Sequence, residues 1–154
     1  MNNMISVASG FQYSVNIGYD LNNDDKLKNF IPTQSALTLL EDILLSTRIT
    51  STDRARVLIG AYGKGKSHLL LMILSILMKK DISLFEKLLP KLEENKRLHQ
   101  YVLSYYESNQ KFLPVIINGS NTSLPQAFLL ALQRTLAENE LLDIMPETNY
   151  KAAV

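Results

Sequence analysis

The stretch Arg54-Ala-Arg-Val-Leu-Ile59-Gly60-Ala-Tyr-Gly-Lys-Gly65-Lys66-Ser67-His68-Leu-Leu-Leu71 sets three kinds of segment in succession. Val57-Leu58-Ile59 is a short apolar run rich in β-branched residues and is predicted as a buried strand. Residues 60–65 are glycine-rich. From Lys66 to Lys80 the chain is apolar almost all round, which predicts a helix buried on most of its faces. The junction, Gly60-Ala61-Tyr62-Gly63-Lys64-Gly65-Lys66-Ser67, fits the pattern glycine, four residues, glycine, lysine, serine or threonine of a phosphate-binding loop.

Each position in that pattern has a physical reason. A turn wrapped closely round phosphates needs backbone without Cβ atoms, which Gly60, Gly63 and Gly65 supply. Consecutive N–H groups then form an anion-binding nest, and the helix that follows adds its dipole and free N–H groups. Lys66 is placed to reach the β- and γ-phosphates, and the Ser67 hydroxyl is an oxygen ligand suited to Mg²⁺. Tyr62 sits at a variable position of the loop, able to shield phosphates or to pack on a base. The candidate phosphate site is therefore Gly60, Ala61, Tyr62, Gly63, Lys64, Gly65, Lys66, Ser67 and His68, with Ser67 as the metal-facing residue. His68 has a plainer reading as a helix-surface or core residue, because a lone histidine lacks the partners catalysis needs.

On either side of this stretch the pattern is mixed. Residues 11–19 alternate apolar and polar (Phe11, Tyr13, Val15, Ile17, Tyr19) and predict a half-buried strand, and the polar residues 21–29 predict a loop. Leu37, Leu40 and Leu44 recur at helical spacing and predict a helix over 34–47. Residues 81–110 read as helical with a break at Pro90, the second part presenting Leu98, Tyr101, Val102 and Tyr105 on one face. Residues 112–117 predict a second buried strand, ended by the turn signal Asn118-Gly119. Ser123-Leu-Pro-Gln126 is a capping box that should open a helix whose inner face is Phe128, Leu129, Leu132 and Leu136. Strand, glycine loop, helices, strand and helix in that order predict an α/β fold, a parallel sheet flanked by helices. Two or three strands are fewer than the roughly five of a complete domain of this kind. The expected organisation is a lead-in over residues 1–53 and the first part of a core over 54–154.

Bulk properties narrow the function. The chain has 154 residues, 46% hydrophobic and 20% charged, the size of one domain with a real core. Sixteen basic against fifteen acidic residues leave +1, so bulk charge does not point to a polyanion, and nucleic acid is expected only indirectly. Absence of cysteine excludes disulfides, cysteine-ligated metals and a thiol nucleophile. Residues 1–10 have no basic, apolar leader, and residues 69–78 are too short for a bilayer, which needs about 18 apolar residues. The cytoplasm is the expected location and no membrane partner is expected. His99 has no neighbour at metal-ligand spacing, so zinc is not expected. The pairs Asp24-Asp25, Glu41-Asp42 and Glu93-Glu94 read as solvated faces, and Arg54 and Arg56 as surface residues.

Residues 54–78 resemble the P-loop NTPases. More narrowly, Gly60-Ala-Tyr-Gly-Lys-Gly-Lys-Ser-His-Leu69 is similar to the AAA+-like, large ATP-binding proteins of bacterial phage-defence systems of the BREX type, which share a tyrosine before the middle glycine and a histidine after the serine. Residues 112–120 and 123–132 look like their second strand and helix. The resemblance implies ATP and Mg²⁺ as cofactors, a role in defence, and further subunits or domains of a larger ATPase as partners. It also exposes a departure. No later apolar strand ends in the Walker B acid, since Ile116-Ile117 runs into the neutral Asn118. The expectation is thus binding of Mg-ATP without hydrolysis by this chain alone, and ATPase activity only if residues outside it complete the site. A small-molecule or nucleotide kinase would need an arginine-rich segment after Phe112, which is missing. A GTPase would need Asn-Lys-x-Asp, and Asn95-Lys-Arg-Leu98 ends wrongly. A fragment that only mediates assembly is the non-enzymatic alternative.

Overall fold

The computed structural model describes residues 14–61, 63–119 and 123–144. Its internal contacts divide the chain into two units, Met1–Lys111 and Phe112–Val154.

The first unit is built on helices. α1 (Ile17–Asp20) starts at Asn16, whose Oδ1 accepts from the Gly18 N–H at 3.1 Å while its own N–H donates to Asp20 Oδ2 at 2.8 Å. α2 (Asp24–Lys28) follows, with acids at its start and lysines at its end, as the helix dipole favours. α3 (Gln34–Ser46) is capped by Thr33, whose Oγ1 accepts from the Ala36 N–H. Its buried stripe, Leu37, Leu40 and Leu44, is the one its spacing predicts. α4 (Lys66–Leu77) has Leu69, Leu71, Met72, Ile73, Ser75, Ile76 and Leu77 buried, so it is covered on most faces, and α1, α2 and α3 all pack on it. A 3₁₀ turn (Ile82–Phe85) leads to α5 (Leu89–Glu94) and α6 (Lys96–Glu107).

The end of α4 is tied to the end of α6. Lys80 N–H bonds the Ser75 carbonyl and Lys79 N–H the Ile76 carbonyl, closing the helix with Lys79 in the left-handed region at φ 54°. Glycine is the usual residue there. Here the lysine ammonium donates to the Tyr106 and Ser108 carbonyls and lies 5.1 Å from the Tyr105 ring centre, contacts glycine would lack. The Tyr105 hydroxyl donates to the Leu77 carbonyl, and that of Tyr106 to the Lys80 carbonyl at 2.8 Å. Burial pushes the Tyr106 phenol well above its usual range, so it stays a donor.

Ser75, fully buried within α4, has an Oγ without a hydrogen-bond partner among the described residues. A buried unpaired hydroxyl costs free energy that a methyl group does not. Ser75→Ala is expected to stabilise the protein by about 1 kcal/mol in urea denaturation. A loss of stability there would show that the hydroxyl has a partner in solution.

The second unit centres on α7 (Leu124–Glu138), opened at Ser123 with Pro125 in its first turn. The Ser123 side chain makes no cap bond. The buried residues are Ala131, Thr135 and Leu136, whereas Phe128, expected inside, is 45% exposed.

The parallel-sheet expectation is corrected: among the described residues there are helices and no strand. Residues 54–61 carry no helix or ladder, and Val57 and Ile59 are 82% and 90% exposed. The run has strand composition, but a strand exists only where another chain segment takes its N–H and C=O groups. Residues 112–117 likewise join no ladder. Of the alternating segment 11–19, residues 11–13 lie outside the described residues. The rest runs into α1, where a local side-chain cap satisfies the backbone in place of a neighbouring strand. The loop expected over 21–29 contains α2, anchored by Leu27, which is 1% exposed.

Candidate functional site

Two arginines shape the approach to the glycine-rich turn. The Arg54 guanidinium donates to the Ser51 and Ile49 carbonyls at 2.9 and 2.8 Å, and to the Arg48 carbonyl at 3.4 Å, just past the end of α3. Arg56 grips both carboxylate oxygens of Asp42 on α3, at 2.8 and 3.3 Å, and bonds Asp53 Oδ1 at 2.7 Å. These contacts hold the Asp42 carboxyl below its usual range. They leave the two arginines occupied in fixing the segment that enters the loop.

Beyond Val57 and Ile59, both exposed, and the half-buried Leu58, the chain reaches Gly60. Gly63 and Gly65 both take φ of +75°, the left-handed region that an L side chain rarely adopts. A Cβ at either would meet nothing within 4 Å, so backbone conformation and not space requires glycine there. Gly65 is the N-cap of α4 and offers no side-chain cap, so the first-turn N–H groups of α4 remain for another acceptor. Its carbonyl accepts from the Leu69 N–H at 2.9 Å, the first bond of the helix.

Lys66, the first helical residue, folds back over the turn. Its Nζ donates to the Gly60 carbonyl at 2.8 Å and to the Ala61 carbonyl at 2.7 Å. The ammonium is thereby held against the loop's own backbone. Two left-handed glycines, a helix start without a side-chain cap and a lysine held at that start are the local features that suit an anion.

The other expected site residues distribute as follows. Lys64 and Ser67 are exposed, and Tyr62 lies outside the described residues. His68, one residue past Ser67, faces α2: Nε2 lies 2.7 Å from the Lys26 carbonyl, and the ring meets Phe30 edge-on with centres 5.3 Å apart. A carbonyl only accepts, so Nε2 carries the proton. Burial lowers the proton affinity of the ring, partly offset by that bond. This contact was not legible in sequence, because its acceptor is a backbone atom.

The fit to Mg²⁺ rests on oxygen donors. Among the described residues no group of three or more histidine, aspartate or glutamate side chains is assembled for a metal. The Ser67 hydroxyl would be one ligand, and the rest of an octahedral shell would be phosphate oxygens and water, the arrangement this ion prefers. Asn95, the start of the run that fails the guanine pattern, serves instead as a cap, its Oδ1 accepting from the Leu98 N–H at 3.2 Å. Among the described residues no helix is long and apolar enough to cross a membrane. Comparison with protein-family models, with curated proteins and with solved structures gives no match to this chain.

Proposed function

We propose that the turn from Gly60 to Ser67 binds the phosphates of ATP together with Mg²⁺, and that the protein is a nucleotide-binding module acting in the cytoplasm. The observation that carries this reading is the placement of the Lys66 ammonium on the Gly60 and Ala61 carbonyls. It sets a cation inside a turn whose two left-handed glycines and uncapped helix start already suit an anion. The likeness of residues 54–78 to P-loop NTPases supports the same reading. Bound Mg²⁺ would supply charge neutralisation between the β- and γ-phosphates, with the Ser67 hydroxyl among its ligands.

In this reading the chain binds without turning over. Hydrolysis asks for a carboxylate at the metal and an oriented water, and the later apolar run Ile116-Ile117 leads into the neutral Asn118. Subunits or domains outside the chain would complete an ATPase, in keeping with the resemblance to phage-defence ATP-binding proteins.

The test is thermal stabilisation of the purified protein by Mg-ATP, by ATP in EDTA and by Mg-GTP. At a hundred times its dissociation constant, Mg-ATP should add about 2.7 kcal/mol. Ser67→Ala should weaken Mg-ATP and leave metal-free ATP unaffected, since the hydroxyl acts through the metal. Equal losses in both conditions would make Ser67 a helix-start residue and not a metal ligand. No stabilisation by either nucleotide would overturn the proposed function.

A further inference from the structure

The glycines at the tip of the turn touch little: a Cβ added at Gly63 or Gly65 would meet nothing within 4 Å. Hydrogen bonds hold both ends of the turn. At the entering end, Arg54 and Arg56 hold the backbone. At the leaving end the first turn of α4 carries Lys66, Ser67, His68 and Leu69. Lys66 bonds within the loop, Ser67 is exposed, and Leu69 is buried in the apolar core. Among the described residues, His68 is the one polar side chain of that turn shown hydrogen-bonded to another helix.

The acceptor is well fixed. The Lys26 carbonyl lies in α2, which is held from both sides: Leu27 and Phe30 are buried, and Asp24 Oδ1 pairs with Lys80 Nζ at 2.7 Å beyond the far end of α4. α2 thus reaches toward both ends of α4, through His68 at the start and Lys80 past the finish.

We propose that His68 is a positioning residue for the phosphate loop, its Nε2–H bond to the Lys26 carbonyl and its edge contact with Phe30 pinning the start of α4 to α2. The role rests on the nucleotide reading of the loop. A pinned helix start spares the ligand the entropy of ordering it, so affinity is gained without a contact to the ligand itself. The coupling is reciprocal: a nucleotide that holds the loop also tightens α2 on α4.

His68→Phe and His68→Leu remove the donor, the first keeping a ring, and His68→Gln keeps an N–H near the position of Nε2. The donor-free variants should bind Mg-ATP about five- to tenfold more weakly, with glutamine recovering most of the loss. Without nucleotide, amide exchange over residues 63–69 should quicken in the donor-free variants and slow again in His68→Gln. In the unsubstituted protein, Mg-ATP should slow exchange over residues 26–30 as well as over the loop, a readout that needs no variant. Unchanged loop exchange, unchanged affinity in the donor-free variants, or no response of residues 26–30 to Mg-ATP overturns the role of His68. Failure of the unsubstituted protein to bind Mg-ATP overturns the nucleotide reading itself, so the two failures are told apart.

Discussion

Lys66→Ala is expected to weaken ATP binding by about tenfold to a hundredfold while leaving the fold in place. The ammonium is the one group of the turn that combines full charge with a fixed inward position, 2.8 Å from the Gly60 carbonyl and 2.7 Å from that of Ala61. A triphosphate competes for that charge, and a charge-assisted bond is about twice as strong as a neutral one. Gly60 and Ala61 are exposed, so water replaces the ammonium on their carbonyls and little stability is lost. Lys66→Arg separates charge from shape: a planar fork at the end of a different stem does not reproduce two bonds to adjacent carbonyls from a single nitrogen. Calorimetric titration of the variants against Mg-ATP gives the measurement. An alanine variant that binds within about threefold of the unsubstituted protein would remove Lys66, and with it the phosphate reading, from consideration.

Long apolar helices were legible in sequence because periodicity reports burial directly. α3 lies where leucine spacing puts it, α4 falls within the run that is apolar almost all round, and Leu98, Val102 and Tyr105 form the buried face of α6. What sequence could not report was pairing. Val57-Leu58-Ile59 has the composition of a buried strand, yet β-propensity describes how a residue fits a sheet that must already exist. With no ladder formed, Val57 and Ile59 face solvent. Short elements fail for a different reason. α2 has one deeply buried residue, Leu27, among charged neighbours, and a single apolar position has no period. Proline misleads in a third way. Pro90 sits in the first turn of α5, where its missing N–H costs nothing, and the break falls at Asn95, which ends α5 and caps α6.

The site divides along the same line. Gly63 and Gly65 were legible because a left-handed backbone position is a demand on residue type. The contact of His68 was not, because it depends on where the Lys26 carbonyl lies in space. Arg54 and Arg56 read as surface residues in sequence. In the structure their guanidiniums hold the chain entering the turn, with backbone carbonyls among the acceptors.

Leu71→Ala is expected to cost about 2–5 kcal/mol of stability. Leu71 is fully buried in α4, the helix on which α1, α2 and α3 all pack. Truncation removes its apolar surface from the core and leaves a cavity in a closely packed interior. Against a typical total of 5–15 kcal/mol, such a loss leaves a large share of the folding free energy gone. Urea denaturation with and without Mg-ATP connects this helix to the loop at its start. Mg-ATP at a hundred times its dissociation constant should return about 2.7 kcal/mol to Leu71→Ala, because binding to the folded state alone draws the equilibrium toward it. In the double variant with Lys66→Ala the same ATP concentration should return much less, since occupancy falls with affinity. A cost below about 1 kcal/mol would mean that α4 is not the buried centre of this unit. Equal rescue of the single and double variants would mean that ATP stabilises the protein from somewhere other than the Lys66 loop.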